Sequence, residues 1–446
     1  MENKAGTWRL AWLVLGLLYF IFGFTYSVIQ PLGAAPDEPA HMQYIKFLVN
    51  EHRLPVWTPP QYAEGGYETQ HPLFAYAVES MPYALTGSLP ENMRWQISRW
   101  FVLALAGTLL WMFARRLAKR LFPDEPLGEM SLVASICFVP LTFMYLGHLN
   151  PDIWVLTISC AGFYLASRLY ADADPPNWLP WAAGALAGIA ALTKLNILPI
   201  VLVLLAAQWL RPGAPRAERL RGVGIIAGLD LVIGGWWYVR NAILYHSPLI
   251  HTATHMGTGL ELAQRAGAHG GPPQGVFRTA LWTLQNTYIS TWFQPEWLPY
   301  GWALAFLAVS AILIVLAIVG YARRGQKPSA SEAEDADETS APTNGLRFLA
   351  WAAVLTIAFV LIGQQSAFWT VDVELNMGGR YMLAALPAIA IAINLGVARM
   401  GGAVRKSAWG AWIATLIVAN FLAIQQVVFV LTPQFHPGWK MFDLLG

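Results

Sequence analysis

Residues 8–29 read "WRLAWLVLGLLYFIFGFTYSVI", an apolar run that contains a single charged residue, Arg9. An α-helix needs about 20 apolar residues to cross the hydrocarbon core of a bilayer, so this run predicts a membrane span. It follows a basic start and lacks a small-residue cleavage site, which indicates a retained helix and not a cleaved signal peptide.

Similar apolar runs recur along the chain and predict an all-α polytopic membrane protein with about eleven transmembrane helices. The predicted spans are residues 8–29, 98–114, 130–147, 153–170, 180–194, 196–210, 222–240, 299–320, 347–365, 381–398 and 408–431. The composition agrees with this class, because 56% of the 446 residues are hydrophobic and 12% are charged. The short runs 180–194 and 196–210 are joined by "TKLNILP" (193–199), which we interpret as a polar hairpin tip.

Lysine and arginine are concentrated in alternate connections between these spans. The basic connections are "RRLAKR" (115–120), "RPGAPRAERLR" (211–221), "YARRGQK" (321–327) and "RMGGAVRK" (399–406). Because cytoplasmic loops of membrane proteins are enriched in Lys and Arg, this pattern predicts a cytoplasmic N-terminus. The inverted orientation would place all of these clusters outside, and we reject it for that reason.

This topology leaves two large extracytoplasmic segments, residues 30–97 and 241–298, both rich in Trp, Tyr, Pro and His. Such residues suit the membrane interface, so we expect interfacial helices in the first segment. Residues 327–345 are acidic and lack aromatic side chains, which predicts a disordered cytoplasmic linker. No soluble domain is apparent, so residues 1–446 are interpreted as one integral membrane module.

Several classes of function are disfavoured by composition. The net charge of +2 is too small to indicate nucleic-acid binding, and Cys137 and Cys160 both lie inside predicted spans, which disfavours a disulfide framework. No Gly-rich phosphate cradle follows a strand. An enzyme that used a soluble nucleotide sugar would need a nucleotide site, whereas one that used a membrane-dissolved donor would not.

The most prominent polar cluster follows the first span, in "GAAPDEPAHMQYIKFLVNEHRLP" (33–55). Pro39 fits the first turn of a helix, so Asp37 or Glu38 could cap a short interfacial helix that runs to about residue 50. Capping accounts for one carboxylate, but not for two with His41 one turn later, at a depth where charge is costly. A carboxylate at the edge of an apolar cavity can also act as a general base toward a hydroxyl.

A second group occurs in "GGYETQHPLFAY" (65–76), which carries Glu68, Gln70 and His71. These residues precede a proline and an aromatic helix start, so they could cap that helix. The alternative is a strip that contacts a sugar or a metal and faces the first cluster.

The third group is "GHLNPDIW" (147–154), predicted to be a short turn between two spans. Asn150 as the cap, Pro151 at the first helical position and Asp152 in the first turn form a complete helix-start signal. The same pattern places Asp152 on the same side of the membrane as the first cluster.

Three isolated cations lie at predicted outer helix ends, Lys194, Arg240 and Arg380. Each could extend to lipid headgroups, which is a common arrangement for such residues. Their shared level with the carboxylates also fits a phosphate site, since arginine offers bidentate hydrogen bonds to phosphate.

His251 and His255 are four residues apart, a spacing that could place two imidazoles on one helix face for a metal. No HExxH pattern or cysteine supports such a site, and loop histidines are the simpler interpretation. The sequence therefore assigns no cofactor and leaves a divalent metal open.

The order of these motifs resembles the GT-C superfamily of membrane glycosyltransferases, in particular the branch of protein O-mannosyltransferases and bacterial aminoarabinose transferases. The resembling stretches are "PDEPAHMQYIKFL" (36–48), "QHPLFAY" (70–76), "NPD" (150–152), "LTKLNILP" (192–199), "GGWWYVRNAILYHSPL" (234–249) and "GRYMLAALPAIA" (379–390). The resemblance implies inverting transfer from a polyprenyl-phosphate-linked sugar outside the cytoplasmic membrane. It implies that Asp37 is the catalytic base, that Asp152 is a second acidic position and that Arg380 lies near the donor phosphate.

The sequence departs from the family in two places. Members with an aminoarabinose donor commonly carry an acidic-lysine-proline-proline strip where this chain has "TQHP" (69–72), so that donor is not carried over. The large soluble domains of some relatives are missing, which leaves a glycan, lipid or protein acceptor open.

Candidate residues therefore fall into three groups. We assign Asp37, Glu38 and Asp152 to catalysis, and Arg380, Arg240 and Lys194 to the donor phosphate. The residues assigned to substrate binding are His41, Glu68, Gln70, His71, Asn150 and Tyr381.

These assignments favour a glycosyltransferase of the bacterial cytoplasmic membrane, with its active site outside and its donor and membrane lipids as partners. The alternative is a transporter or flippase of lipid-linked sugars, which would show broken helices in corresponding halves and polar sites at mid-membrane. A scaffold for another membrane protein is a third interpretation, but it leaves the carboxylates and cations without a role.

Overall fold

The computed structural model describes residues 2–56, 64–249, 288–289, 291–293, 297–323, 348–359 and 379–435. The predicted linker 327–345 and most of the segment 241–298 lie outside these ranges. The helices are α1 (Glu2–Ile29), α2 (Glu38–Glu51), α3 (Phe74–Leu85), α4 (Glu91–Leu121), α5 (Pro126–Cys137), α6 (Pro140–Leu146), α7 (Asp152–Ala171), α8 (Leu179–Ala191), α9 (Leu198–Trp209), α10 (Arg216–Tyr245), α11 (Tyr300–Ala322), α12 (Phe348–Phe359), α13 (Leu386–Val397) and α14 (Gly402–Gln434). Short 3₁₀ helices cover Tyr67–Gln70, Leu195–Ile197 and Gly379–Ala384.

The predicted class, an all-α polytopic membrane protein, is confirmed. Among the described residues, six helices are long and apolar enough to cross a membrane, namely α1, α4, α7, α10, α11 and α14. The pair α5 and α6, bent by 54°, makes a seventh if it counts as one span. Each predicted apolar run overlaps a described helix, but the number eleven is not confirmed. The helices α8, α9 and α13 are short, since 13 residues at 1.5 Å per residue reach only about 20 Å, and α12 is described as far as Phe359.

The centre of the bundle is α7. In its most apolar window 83% of the residues are buried inside the protein, against 22% to 44% in the other five long helices. The helices α4, α8, α9 and α13 pack around it, so protein and not lipid covers most of its apolar surface. This packing holds the N-terminus of α7 in place.

Several connections meet at one end of the bundle, which we call the site end. It contains the segment between α1 and α4 with its helices α2 and α3, the turn between α6 and α7, and the hairpin between α8 and α9. The amide of Phe74 donates to the Leu192 carbonyl at 2.9 Å, which joins α3 to this hairpin. Arg240, near the end of α10, donates to the Pro55 carbonyl at 2.6 Å. The predicted hairpin tip and the predicted helix after Asp37 are both present.

Close backbone contact joins α11 to α13. A Cβ atom added to Gly320 would overlap the carbonyl oxygen of Gly396, so the two helices touch at a point where only hydrogen fits. Small residues allow this approach in membranes, where helix association depends on van der Waals packing.

We expect Gly320→Ala to lower the free energy of unfolding by about 1–3 kcal/mol, because an overpacked site forces the helices apart. Thermal unfolding in detergent measures the change. Gly301→Ala on the same helix is the matched control, since a Cβ there meets nothing within 4 Å. Equal loss of stability in both variants would contradict the proposed helix contact.

Candidate functional site

Asp37 lies directly before α2 in a backbone conformation that is rare for residues with a side chain. Its φ is 63° and its ψ is −2°, in the left-handed region. Its carbonyl oxygen accepts hydrogen bonds from the amides of Ala40 and His41, both at 2.9 Å. The Asp37 side chain makes no hydrogen bond that caps α2, so the capping alternative is wrong for this residue. Such strain costs about 1–3 kcal/mol and persists only where the surroundings impose it.

Glu38 supplies much of that constraint, because its carboxylate has no exposed surface and is fully hydrogen bonded. It accepts hydrogen bonds from Arg99 Nε (2.8 Å) and Nη2 (2.5 Å), the Trp95 indole (3.1 Å), and the amides of Gly33 (3.0 Å) and Leu149 (3.2 Å). Arg99 in turn donates to the carbonyls of Ser27 (3.0 Å), Gln30 (3.0 Å) and Pro31 (3.2 Å). One buried ion pair thus joins α1, α2, α4 and the turn before α7.

This environment keeps Glu38 ionised. Burial by itself would raise the pKa of Glu38, but the Arg99 charge, His148 and the hydrogen bonds outweigh it and lower the pKa to about 2. The carboxylate is therefore a permanent anion whose acceptor positions are already occupied.

Asp152 and Lys194 form a second buried ion pair. Lys194 Nζ donates to Asp152 Oδ1 at 2.8 Å, and the two side chains are 7% and 1% exposed. Asp152 Oδ2 is buried and has no hydrogen-bond partner among the described residues, so one acceptor oxygen of this carboxylate is unused. Tyr381 lies beside the pair, with its ring centroid 5.4 Å from Lys194 Nζ.

Asn150 caps α7, as the helix-start interpretation predicted. Its Oδ1 accepts hydrogen bonds from the amides of Asp152 (2.9 Å) and Ile153 (3.2 Å). Its Nδ2 donates to the carbonyls of Tyr145 (2.9 Å) and His148 (3.1 Å). These four hydrogen bonds use both the oxygen and the nitrogen of the side-chain amide, and they fix the turn that precedes Asp152.

Glu68 and His71 form a third polar pair, and His41 lies near it. His71 Nε2 is 2.7 Å from Glu68 Oε2, while His41 Nδ1 and the Tyr76 hydroxyl are 2.9 Å apart. Gln70 is also buried. The helix α3 begins after Leu73 without a side-chain cap, so the capping alternative is wrong for this group as well.

Charges in this region act on one another. Burial lowers the pKa of His41 to about 4, although Glu68 and Asp37 oppose the shift, so His41 is neutral at physiological pH. Burial would raise the pKa of Glu68, but His71, His41 and Lys194 hold it below its usual range. These effects indicate that the Glu68, Lys194 and Asp37 side chains lie in the neighbourhood of His41.

The predicted cations are not gathered into one cluster of free charges. Lys194 is paired with Asp152, whereas Arg240 is half-buried, lies over the Trp237 ring at 5.2 Å and binds the Pro55 carbonyl. The backbone of Arg380 belongs to the 3₁₀ helix Gly379–Ala384, and its side chain lies outside what the structure describes. The phosphate role of all three stays a prediction.

The metal hypothesis has no support in the described part of the chain. No three His, Cys, Asp or Glu side chains there lie close enough together to hold a metal ion. His251 and His255 are outside the described residues.

Sequence analysis missed three buried polar residues at the site end, namely Arg99, Glu79 and His148. Arg99 opens the predicted span 98–114, and Glu79 interrupts the apolar stretch 73–85. An ionisable residue inside an apolar helix is costly unless it is paired or functional, and this rule could have identified both.

Comparison with known proteins gives a match in structure alone. No family model and no curated protein sequence matches the chain. Among solved structures, ArnT from Cupriavidus metallidurans bound to undecaprenyl phosphate aligns with a TM-score of 0.54 and 16% identity, over 90% of this chain and 62% of ArnT. The chain has the GT-C fold. At this identity the similarity establishes the fold, and the chain spans less than two thirds of the length of ArnT.

A second GT-C protein, the Archaeoglobus fulgidus oligosaccharyltransferase tethered to an acceptor peptide, aligns with a TM-score of 0.44 and 15% identity. This alignment covers 93% of this chain and 55% of the oligosaccharyltransferase. A TM-score below 0.5 is too low to establish a shared fold, so the GT-C assignment rests on ArnT.

We expect Glu38→Gln to lower the free energy of unfolding by about 3–5 kcal/mol, because it leaves the buried Arg99 charge without its partner. Chemical unfolding in detergent at pH 7 measures this loss. The control is Glu91→Gln. Glu91 forms an ion pair with Lys46, and the Glu91 side chain is 58% exposed. Its expected effect is within about 1 kcal/mol.

The difference in unfolding free energy between wild type and Glu38→Gln should also depend on pH. The folded-state pKa of Glu38 is depressed to about 2, so its stabilising effect is present above the unfolded-state pKa, about 4.3. The difference between wild type and Glu38→Gln should stay constant from pH 8 to about 5 and shrink as the pH falls further. A constant difference down to pH 3 would contradict an ionised Glu38.

Proposed function

We propose that this protein is an inverting glycosyltransferase that moves a sugar from a polyprenyl-phosphate donor to an acceptor hydroxyl at the extracytoplasmic face of the bacterial cytoplasmic membrane. The observation that carries the proposal is the position of Asp37. Asp37, whose backbone is strained, lies at the site end together with the Asp152–Lys194 and Glu68–His71 pairs. Support for the donor class comes from ArnT, which was crystallised with undecaprenyl phosphate.

The proposed step is a single displacement at the anomeric carbon of the sugar. The acceptor hydroxyl oxygen forms a bond to this carbon, and the bond between the carbon and the phosphate oxygen breaks. The hydroxyl proton passes to Asp37, while the bonding electrons leave with the lipid phosphate. One base suffices because attack and departure occur on opposite faces, which inverts the configuration.

The departing phosphate gains negative charge, and fixed cations stabilise it. We assign this role to Arg240, Lys194 and Arg380. Arg240 is half-buried and uses Nη2 for the Pro55 carbonyl, which leaves further N–H groups of the guanidinium for phosphate oxygens. Lys194 contributes its charge while it holds Asp152.

Glu38 and Asp152 receive different roles in this proposal. Glu38 is a positioning residue, since all of its surface is buried and its oxygens already accept hydrogen bonds. Asp152 Oδ2 is an open acceptor, suited to a sugar hydroxyl. His41, neutral and bonded to Tyr76, is suited to a hydrogen bond with the substrate and not to charge stabilisation. The acceptor, whether glycan, lipid or protein, is left open.

Asp37→Asn should reduce sugar transfer by about 10³-fold or more, because asparagine tolerates the left-handed conformation but cannot accept a proton. Transfer from a radiolabelled polyprenyl-phosphate sugar measures the loss, and binding of undecaprenyl phosphate should stay within about twofold of wild type. Asp124→Asn is a matched control, since Asp124 also has a φ of 63° but follows the far end of α4.

Two outcomes would overturn this assignment. Full transfer by Asp37→Asn would remove Asp37 as the base. A wild-type protein that binds and moves the lipid-linked sugar across vesicles without cleaving it would favour the transporter alternative.

Arg240→Gln should weaken binding of undecaprenyl phosphate by about tenfold or more, because a hydrogen bond to a charged group contributes about 1.5–3 kcal/mol. Isothermal titration or native mass spectrometry in detergent gives the affinity. Arg53→Gln is the control, because Arg53 is two residues before Pro55, whose carbonyl Arg240 binds, but pairs with Glu64 at 2.7 Å and is exposed. Unchanged affinity in Arg240→Gln would exclude Arg240 from the phosphate site.

A further inference from the structure

Glu79 is a buried carboxyl group that the proposed reaction does not use. It lies on α3 with no exposed surface. Its Oε1 accepts a hydrogen bond from the Trp154 indole nitrogen at 3.0 Å, and its Oε2 is buried without a hydrogen-bond partner among the described residues. Burial raises the pKa of Glu79 well above its usual range, which favours the neutral acid.

The partner of Glu79 lies close to Asp152 in the chain, because Trp154 is two residues after Asp152 in the first turn of α7. Trp154 is also held by Phe74, whose ring meets the indole edge-on with centroids 5.5 Å apart. Glu79 and Phe74 therefore fix the position of Trp154.

A second carboxyl completes this arrangement. The amide of Leu149 donates to Glu38, and the Trp154 indole donates to Glu79. Two carboxyls from the segment between α1 and α4 thus bind the chain before and after Asp152. The same segment carries Asp37 at its beginning and Glu68 in its middle, so these bonds place Asp152 relative to both.

A neutral carboxyl buried at this position has a thermodynamic cost. Burial of a polar group is unfavourable unless its hydrogen bonds are made, and an apolar side chain of similar volume would avoid that cost. The gain lies in direction, because a hydrogen bond from an indole defines the position of its helix turn more narrowly than apolar packing does.

We propose that Glu79 is a positioning residue that sets the Asp152–Lys194 pair relative to Asp37 by holding Trp154. The inference rests on the proposed function, in which Asp152 Oδ2 meets the sugar. A displacement of about 1 Å at such a group can lower turnover by about 100-fold, even when the displaced residue is remote from the reacting atoms.

The test compares Glu79→Met, which deletes the acceptor oxygens, with Glu79→Gln, which keeps a carbonyl acceptor without a charge. We expect the kcat of folded Glu79→Met to fall by roughly 10- to 100-fold with a smaller change in KM, because orientation is lost and not substrate affinity. Glu79→Gln should stay within about threefold of wild type. Equal losses in both variants would overturn the positioning role.

A control separates positioning from general destabilisation. Asn394→Leu removes another buried polar side chain, which bonds Ser131 and Ser135 in the middle of the bundle. It should lower thermal stability as Glu79→Met does, yet leave kcat per folded molecule unchanged. A comparable fall of kcat in Asn394→Leu would show that the Glu79 effect is only structural.

Amide hydrogen exchange provides a readout that does not depend on activity. Glu79→Met should accelerate exchange in peptides that cover residues 147–154, whereas Glu79→Gln and Asn394→Leu should not. Unchanged exchange there in folded Glu79→Met would contradict the inference, whatever the activity. If Glu79→Met accelerates exchange but the wild-type protein transfers no sugar, the Glu79 contacts are supported and the proposed function is contradicted.

Discussion

The buried ion pair between Glu38 and Arg99 is the interaction on which the site end depends. Neither side chain has exposed surface, and each is surrounded by hydrogen-bond partners from different parts of the chain. Desolvation of two charges is costly, and the cost is offset only when geometry and further hydrogen bonds are favourable. Here Arg99 also satisfies three carbonyls at the end of α1, where a helix leaves its last carbonyls without partners.

This pair explains why Asp37 can hold a strained conformation. The next residue, Glu38, is fixed by five hydrogen bonds, and Pro39 restricts the backbone after it. Asp37 lies between this anchor and the end of α1, so its left-handed φ is imposed from both sides. The backbone that carries this partly exposed carboxylate is therefore held in place, which the proposed displacement requires of its base.

Some parts of the fold and site were predictable because they depend on local patterns. Hydrophobic run length identified each apolar helix, and Asn150 followed the ordinary rules of helix capping. Both Asp37 and Glu38 were assigned to catalysis, with Asp37 as the expected base. Their separation into a strained, partly exposed group and a fully buried anchor depends on Arg99, which is 61 residues away from Glu38.

The sequence by itself determined the all-α membrane class, because length and polarity along the chain control which segments leave the bilayer. Tertiary structure alone decided the buried polar contacts, since the pairing of Glu38 with Arg99 and the hydrogen bond between Glu79 and Trp154 join elements far apart in the chain. It also decided that the predicted span 130–147 bends by 54° between α5 and α6, a feature that hydropathy cannot resolve. The physical reason is that desolvation and hydrogen-bond geometry depend on neighbours in space, whereas run length depends on neighbours in sequence.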